Sequence, residues 1–359
     1  MLQPLYNPAV DIIRDIVARC PTLHEEYKPA FWYSNPWINV FVMMFKKWLE
    51  PVMKVKRETI ICPDGGEISI DWADDPVTQQ LGVNAPVLGI LHTITGGCRQ
   101  NHGFMRYAAS RGWRSCVLNR RGHSGMPLRV IPHFSIMGNV DDTELMVDSI
   151  CKQYPDSFIG LAGLSAGSGQ VVSYIGQKGK AVKINAAASL CPAWDLKSAF
   201  TNLQKMNPWL DRFITKGIID HFLNPPRNQK VLDTVPKEVL RKAKSSTSLD
   251  EFMTEAAPLA GCQDFDDFLK ENNPMEHFSG NRVPCLVLNA LDDFLCLKEN
   301  IRTDVNDDAQ YYILKLTERG SHVAFNEGIF GQGNFMWRLT LDFFDTIEQL
   351  LGKEGDSSH

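Results

Sequence analysis

The sequence predicts an α/β fold built on a mostly parallel sheet of eight strands. Six uninterrupted apolar runs, which are typical of strands buried on both faces, follow one pair of alternating segments. Helix-like stretches separate these runs, and this order requires right-handed crossovers between parallel strands. With 359 residues, of which 44% are hydrophobic, the chain is long enough to bury a large core.

Each predicted element has its own pattern. The segments 53–62 and 66–74 alternate polar and apolar residues around "PDGG", which is typical of a hairpin. The six buried strands are predicted at 86–91 (PVLGIL), 115–119 (SCVLN), 158–163 (FIGLAG), 185–191 (NAAASLC), 284–290 (PCLVLNA) and 311–316 (YYILKL). Helices are predicted between them at 102–112, 140–154 and 166–179.

The alternation of strands and helices lapses between Asp195 and Phe278. This stretch offers no good strand and contains helix-like segments separated by proline and serine, so we expect a helical insertion that covers the sheet. The predicted organisation is an N-terminal arm (1–50), a core in two parts (51–194 and 279–352), a helical cap (195–278) and a short tail (353–359).

Composition excludes several classes of function. The formal net charge is −5 and no long run of Lys and Arg occurs, so we expect no nucleic-acid partner. The nine cysteines are odd in number and form no Cys-x-x-Cys pair, which argues against a disulfide framework or a zinc site. From the cysteine spacing we expect no bound metal. The first residues include charge and proline before any apolar core of the signal-peptide type, so we expect an intracellular protein.

The stretch "FIGLAGLSAGSGQ" contains the pattern Gly-x-Ser-x-Gly at Gly163 to Gly167. An apolar strand precedes the pattern and a helix-like segment follows it. This is the setting in which a serine sits on a sharp strand-to-helix turn, with small neighbours that permit the bend. Ser165 is therefore the candidate nucleophile.

A serine nucleophile needs a histidine as base and an acid to orient it. His322 follows the last predicted strand and is the candidate base. The candidate acid is Asp293 or Asp292, at the end of the strand "PCLVLNA". Allowing three residues to the carboxylate favours Asp293 when counted from Ala290, which we prefer, and Asp292 when counted from Asn289.

Several segments in the same order resemble one branch of the α/β-hydrolase superfamily, called AB hydrolase family four, which contains membrane-associated esterases and phospholipases. The segments are "YKPAFWYSNPWINV", "LNRRGHSG", "FSIMGNVDDTELMV", "LSAGSGQVVSYIG", "LDEFMTEAAPLAGCQDFDDF" and "GSHVAFNEG". The resemblance implies the α/β-hydrolase fold, with a helical cap. It also implies cleavage of acyl or lipid esters without a cofactor.

An oxyanion hole for this chemistry needs two backbone N–H groups. Ala166, directly after the serine, is expected to supply one, and Ile94, in the loop after the first parallel strand, the other. The chain departs from the family pattern at two places: Thr93 replaces a glycine, and Phe294 replaces a proline. These departures motivate a rival hypothesis, a catalytically silent scaffold that binds lipid or protein. An acyltransferase with the same triad is a third alternative.

The segment 31–49, "FWYSNPWINVFVMMFKKWL", is rich in aromatic residues and ends near Lys46, Lys47 and Trp48. Its uncharged part is shorter than the roughly twenty residues that a spanning helix needs. We expect this segment to lie in the headgroup region of a membrane and the protein to prefer lipid esters over small soluble ones. Packing of the segment against the domain is the alternative.

Overall fold

The computed structural model of the protein describes residues 2–29, 32, 35–304 and 309–356, with the backbone alone at 43, 44, 46–49 and 353–356. Phe31 and Tyr33 of the predicted interfacial segment, the side chains of Lys46, Lys47 and Trp48, and the last residues of the predicted tail lie outside this description.

A mixed sheet forms the centre of the described chain. Its strands are β1 (Leu5–Tyr6), β2 (Val55–Ile61), β3 (Glu67–Ala73), β4 (Val87–Leu91), β5 (Arg114–Asn119), β6 (Ile159–Leu164), β7 (Ala186–Leu190), β8 (Cys285–Ala290) and β9 (Tyr312–Thr317). The spatial order is β1-β9-β8-β7-β6-β4-β5-β3-β2. The six strands from β4 to β9 are mutually parallel, and the antiparallel strands lie at the two edges. The predicted fold class is confirmed.

The described sheet has nine strands, so the predicted number of eight is wrong by one. The additional strand, β1, pairs Leu5 with Leu314 and Tyr6 with Ile313. A strand of two residues is too short to show an alternating pattern in the sequence. Its place at the edge is decided by tertiary pairing with β9.

Helices cover both faces of the sheet. One face packs against α1 (Asp11–Arg19), α3 (His102–Ser110) and α13 (Phe335–Asp356), and the other packs against α4 (Val140–Gln153) and α5 (Ala166–Lys178). The central strands β4, β6, β7 and β8 are buried along their whole length, which explains their uninterrupted apolar sequences. Helix α2 (Pro36–Leu49) lies in the N-terminal arm.

Between β7 and β8 the fully described chain forms helices without a strand, in the range where we predict the cap. They are α6 (Leu196–Met206), α7 (Pro208–Phe222), α8 (Pro226–Leu232), α9 (Lys237–Ser245), α10 (Leu249–Ala256), α11 (Phe265–Asn272) and α12 (Pro274–His277). Their apolar faces form a separate core, which includes Phe222, Phe252 and Phe268. This second core packs against Ala166, at the start of α5.

The carboxyl ends of the parallel strands meet at one edge of the sheet, which is where open α/β sheets bind their ligands. The loop of residues 92–97 follows β4, Arg120 follows β5 and Ser165 follows β6. Asp292 and Asp293 follow β8, and His322 lies in the loop after β9. Among the helices as described, none is long and apolar enough to span a bilayer.

Candidate active site

Ser165 stands on a turn so tight that glycine is required on both sides. Its backbone has φ 55° and ψ −116°, a conformation that residues with a side chain rarely adopt. A Cβ at Gly163 would lie 2.0 Å from the Gly167 carbonyl oxygen, and one at Gly167 would lie 2.2 Å from the Leu91 carbonyl oxygen. The Ser165 N–H donates to the Leu190 carbonyl at 2.9 Å. The turn thus stores backbone strain and holds the serine at the carboxyl edge of the sheet.

The structure brings Ser165, His322 and Asp293 into one chain of hydrogen bonds. Ser165 Oγ lies 2.7 Å from His322 Nε2, and His322 Nδ1 lies 2.9 Å from Asp293 Oδ2. The other oxygen of Asp293 accepts the backbone N–H groups of Leu295 at 2.8 Å and Cys296 at 3.0 Å. The Asp293 side chain has no exposed surface. Four hydrogen bonds therefore fix the serine, the ring and the carboxylate with respect to one another.

Asp292, the alternative acid, faces a different group. Its Oδ1 accepts the Ser321 N–H at 2.8 Å, so it holds the backbone next to His322 rather than the imidazole. Burial raises the pKa of Asp292 from its usual value. The two adjacent carboxylates contact two adjacent residues of one loop, and only Asp293 meets the ring.

The two residues that carry the expected oxyanion donors, Ile94 and Ala166, both line the cleft at Ser165. Ala166 is the first residue of α5, so its N–H has no acceptor within that helix. The Ile94 side chain lines the cleft above Ser165 and His322. Among the described residues, the Ile94 N–H donates to no protein acceptor. Both groups are free to bind an oxygen of a ligand.

Two residues that the sequence reading missed hold the loop that contains Ile94. The buried side chain of Arg120 donates to the carbonyl oxygens of His92 at 2.9 Å and Thr93 at 2.8 Å. His123 Nε2 lies 3.0 Å from the Ile94 carbonyl oxygen. Burial lowers the pKa of His92 and His123 well below the usual histidine range, so both rings are neutral at pH 7. The segment "LNRRGHSG" was recognised only as part of a family pattern.

The cleft above Ser165 is almost wholly apolar. Ser165 and His322 are the polar side chains at its base, and helices of the predicted cap supply much of its wall. The lining residues are Ile94, Met137, Ser165, Ala166, Gly169, Cys191, Ala193, Leu196, Ala199, Phe200, Ile214, Leu249, Pro274, Leu295 and His322. The cleft therefore suits a hydrocarbon chain with one reactive polar group at its end.

Helix α2 contacts both loops that carry the acid and the base. The Trp37 ring stacks on Phe294 with centroids 4.8 Å apart, and Phe294 presents an edge to His322 at 5.9 Å. Asn326 Nδ2 donates to Asn39 Oδ1 at 2.6 Å, and Asn39 is buried. Phe294, which departs from the family pattern, thus forms an aromatic contact between the arm and the site.

One group of side chains in the described residues has the composition of a metal site. It consists of Cys191, Asp293 and His322, whose ligand atoms lie within 4.8 Å of one another. Burial raises the pKa of the Cys191 thiol well above its usual value, which disfavours the thiolate that metals bind. Asp293 and His322 already satisfy each other, so the chemistry of this group fits an acid–base pair better than a metal site.

This arrangement can activate a hydroxyl group. The imidazole can take the serine proton as Oγ attacks an electrophilic carbon, while the buried carboxylate stabilises the resulting imidazolium. The backbone N–H groups of Ile94 and Ala166, which have no acceptor among the described residues, can stabilise an oxygen that becomes negative.

Comparisons with known proteins show similarity to hydrolases. A family model described as "Serine aminopeptidase, S33" matches residues 84–328. The chain is 27% identical over 336 residues to Phospholipase ABHD3 of Homo sapiens, and the aligned region covers 91% of this chain and 80% of that protein. It is 24% identical over 262 residues to Monoacylglycerol lipase of Saccharomyces cerevisiae, covering 70% of this chain and 57% of that protein.

A solved structure shares the fold. A hyperthermophilic esterase from Pyrobaculum calidifontis superposes with a TM-score of 0.51 at 15% identity, covering 88% of this chain and 91% of that one. At this identity the likeness concerns the fold alone.

Proposed function

The chain belongs to the family described as serine aminopeptidase S33, within the α/β-hydrolase superfamily, and on this premise we propose that it is a serine hydrolase that cleaves lipid acyl esters. The superfamily inferred from sequence is thereby confirmed, whereas the branch label, family four, is a looser match. The single observation that carries the proposal is the hydrogen-bonded chain from Ser165 Oγ through His322 to Asp293.

In the proposed reaction, Ser165 Oγ attacks the ester carbonyl carbon and His322 Nε2 takes the hydroxyl proton. The carbonyl oxygen becomes an oxyanion that the N–H groups of Ile94 and Ala166 bind. His322 then gives the proton to the leaving alcohol as the ester bond breaks. Water, deprotonated by the same imidazole, attacks the acyl-enzyme and releases the carboxylic acid and the free serine. Asp293 holds the ring in the required tautomer throughout.

The substrate class follows from the cleft and from the relatives. The apolar lining contributed by α6, α7, α10 and α12 favours an acyl chain, since removal of each methylene from water is worth about 0.8 kcal/mol. Two relatives carry the names phospholipase and monoacylglycerol lipase, and both names describe the cleavage of lipid esters. Long-chain esters should therefore be better substrates than acetates.

Helix α2 is the proposed contact with a membrane surface. Ile38, Phe41 and Phe45 are exposed by 46%, 70% and 57% and recur at helical spacing, so they form one apolar face. Trp37, at the flank of this face, reaches the Phe294 ring beside His322. A helix that lies in the interface at this position would place the cleft next to the lipid. The contact is peripheral.

The test is hydrolysis of a series of p-nitrophenyl esters, from acetate to laurate, by wild type and Ser165→Ala. We expect turnover to rise with chain length in wild type and to vanish in Ser165→Ala. Adding a primary alcohol separates hydrolase from acyltransferase, because a transferase would form the alcohol ester in preference to free acid. A folded wild-type protein that binds laurate esters without cleaving them would instead be a silent scaffold.

A further inference from the structure

Arg120 is a buried cation whose contacts are unusual. It is 1% exposed, and its guanidinium meets the carbonyl oxygens of His92 and Thr93 and, at 3.3 Å, Oε1 of Gln170. No ion pair joins it to a carboxylate anywhere in the described parts of the chain. Burial lowers the pKa of Arg120 to about 9, which leaves it protonated at neutral pH. Burial of a charge without a counter-ion destabilises the fold. Arg120 is therefore a candidate for a functional role.

The contact with Thr93 fixes the direction of the next N–H group. In a trans peptide the carbonyl and the following N–H point in opposite directions. Because Arg120 Nη2 and the Gly96 N–H both hold the Thr93 oxygen, the Ile94 N–H points away from the guanidinium. His123 holds the Ile94 carbonyl on the next peptide. Both peptide groups that flank Ile94 are therefore fixed by buried side chains of one turn.

The charge acts in the same direction as the geometry. The negative ends of two peptide dipoles, at His92 and Thr93, face the guanidinium, so their positive ends face away from it. A negative oxygen bound by the Ile94 N–H would be attracted by that dipole and by the positive charge behind it. In a buried site this attraction is much stronger than in water.

From these contacts we infer that Arg120 is a positioning residue of the oxyanion hole, which orients the Thr93–Ile94 peptide and provides the positive charge behind it. This inference rests on the proposed function. It also explains how the loop keeps its shape although Thr93 replaces the glycine of the family pattern.

The neighbouring Arg121 provides a matched control. Its Nε and Nη2 donate to Asp142 at 2.7 and 2.6 Å, and its Nη1 donates to Asp64 at 2.5 Å. It belongs to the same turn and, unlike Arg120, makes ion pairs, but in the described residues its side chain makes no hydrogen bond to the loop of residues 92–97. Arg121→Gln should destabilise the fold without a specific effect on the oxyanion.

The experiment measures kcat and KM for a soluble ester, together with the affinity of an alkyl boronic acid, whose tetrahedral adduct mimics the oxyanion. For Arg120→Gln we expect kcat to fall about 10²-fold with KM unchanged, and boronic acid affinity to fall in parallel with kcat/KM. Arg120→Lys keeps the charge but replaces the planar fork of donors by a compact ammonium on a different stem, so the geometry of the two carbonyl contacts is lost and the loss should be about tenfold. Arg121→Gln should leave the ratio of boronic acid affinity to KM unchanged.

If folded Arg120→Gln has the same kcat and the same boronic acid affinity as wild type, the inference is overturned. It is also overturned if Arg121→Gln loses as much kcat and boronic acid affinity as Arg120→Gln. If Arg120→Gln does not fold, Arg120→Lys decides in the same way. A wild-type protein that neither cleaves esters nor binds the boronic acid would overturn the proposed function as well. An active wild type with unaffected Arg120 variants would overturn this inference alone.

Discussion

On the acid–base side of the site, side chains hold one another, whereas on the oxyanion side buried side chains hold the backbone. His322 is fixed between Ser165 and Asp293, and each of these residues follows a different parallel strand. The Ile94 peptide is instead held from behind by Arg120 and His123, neither of which faces the cleft. One substitution on the acid–base side should therefore abolish most of the activity, whereas one substitution behind the oxyanion side should reduce the activity only in part.

A change of the acid, Asp293, should have the largest effect on turnover. Asp293→Asn should lower kcat about 10⁴-fold, because an amide can no longer stabilise the imidazolium or enforce its tautomer. Asp292→Asn should change kcat less than threefold or so, since an amide oxygen still accepts the Ser321 N–H. Steady-state kinetics on purified variants measures both values. If Asp293→Asn has the kcat of wild type and Asp292→Asn loses most of it, Asp292 is the acid of the site.

The two sides also differ in what the sequence could predict. The sequence predicts Ser165, His322 and the Asp292–Asp293 pair as candidates because their chemistry is specific and each follows a buried apolar run. The choice between the two carboxylates needed coordinates, because one residue of offset at the end of β8 decides which oxygen meets the ring.

The support of the oxyanion loop could not be read in the same way. Ile94 and Ala166 were named by position, but backbone N–H groups carry no residue-specific signal. Arg120 lies 26 residues beyond Ile94 and reaches the loop only because β4 and β5 are neighbours in the sheet. The contact of Trp37 with Phe294 spans a still longer separation. The fold class was predictable from local patterns, while the two-residue strand β1 depended on tertiary pairing.

The pH dependence of the free energy of unfolding tests the histidines packed behind the oxyanion loop. The His221 ring of α7 packs against the His123 ring at a tilt of 45°, with centroids 4.8 Å apart, and burial lowers the pKa of His221 from 6.5 to about 4. Its folded pKa is below its unfolded pKa, so stability is fully present above about pH 6.5 and is lost as the pH falls towards 4. In His221→Phe the share of this loss that His221 contributes should be absent.

Urea unfolding at about pH 7.5 and about pH 5 measures this effect. Between these pH values wild type should lose on the order of 1 to 2 kcal/mol more than His221→Phe. His24→Phe is the matched control, because the His24 ring contacts Gln3 and Val17 and not the His123–His221 pair. Equal pH dependence in wild type and His221→Phe would show that the buried His221 ring does not contribute to the pH dependence of stability.

The smallest expected effect concerns helix α2, which contacts the acid–base side through Trp37 and Asn39. Phe41→Ser with Phe45→Ser should reduce co-sedimentation with anionic phospholipid vesicles several-fold and leave hydrolysis of a soluble ester nearly unchanged. The control is Val83→Ser, because Val83 is 76% exposed and precedes β4, at the sheet edge opposite the site. Equal pelleting of all three proteins would exclude this face as the membrane contact.

Labelling with a fluorophosphonate probe tests whether Ser165 is a nucleophile activated by His322. Intact-mass measurement followed by peptide mapping should give one adduct per chain, on Ser165, and no adduct in Ser165→Ala. Because the probe reacts with an activated serine without needing the right acyl chain, the result does not depend on the substrate. A folded wild-type protein without an adduct, or with its adduct on another residue, would contradict the account.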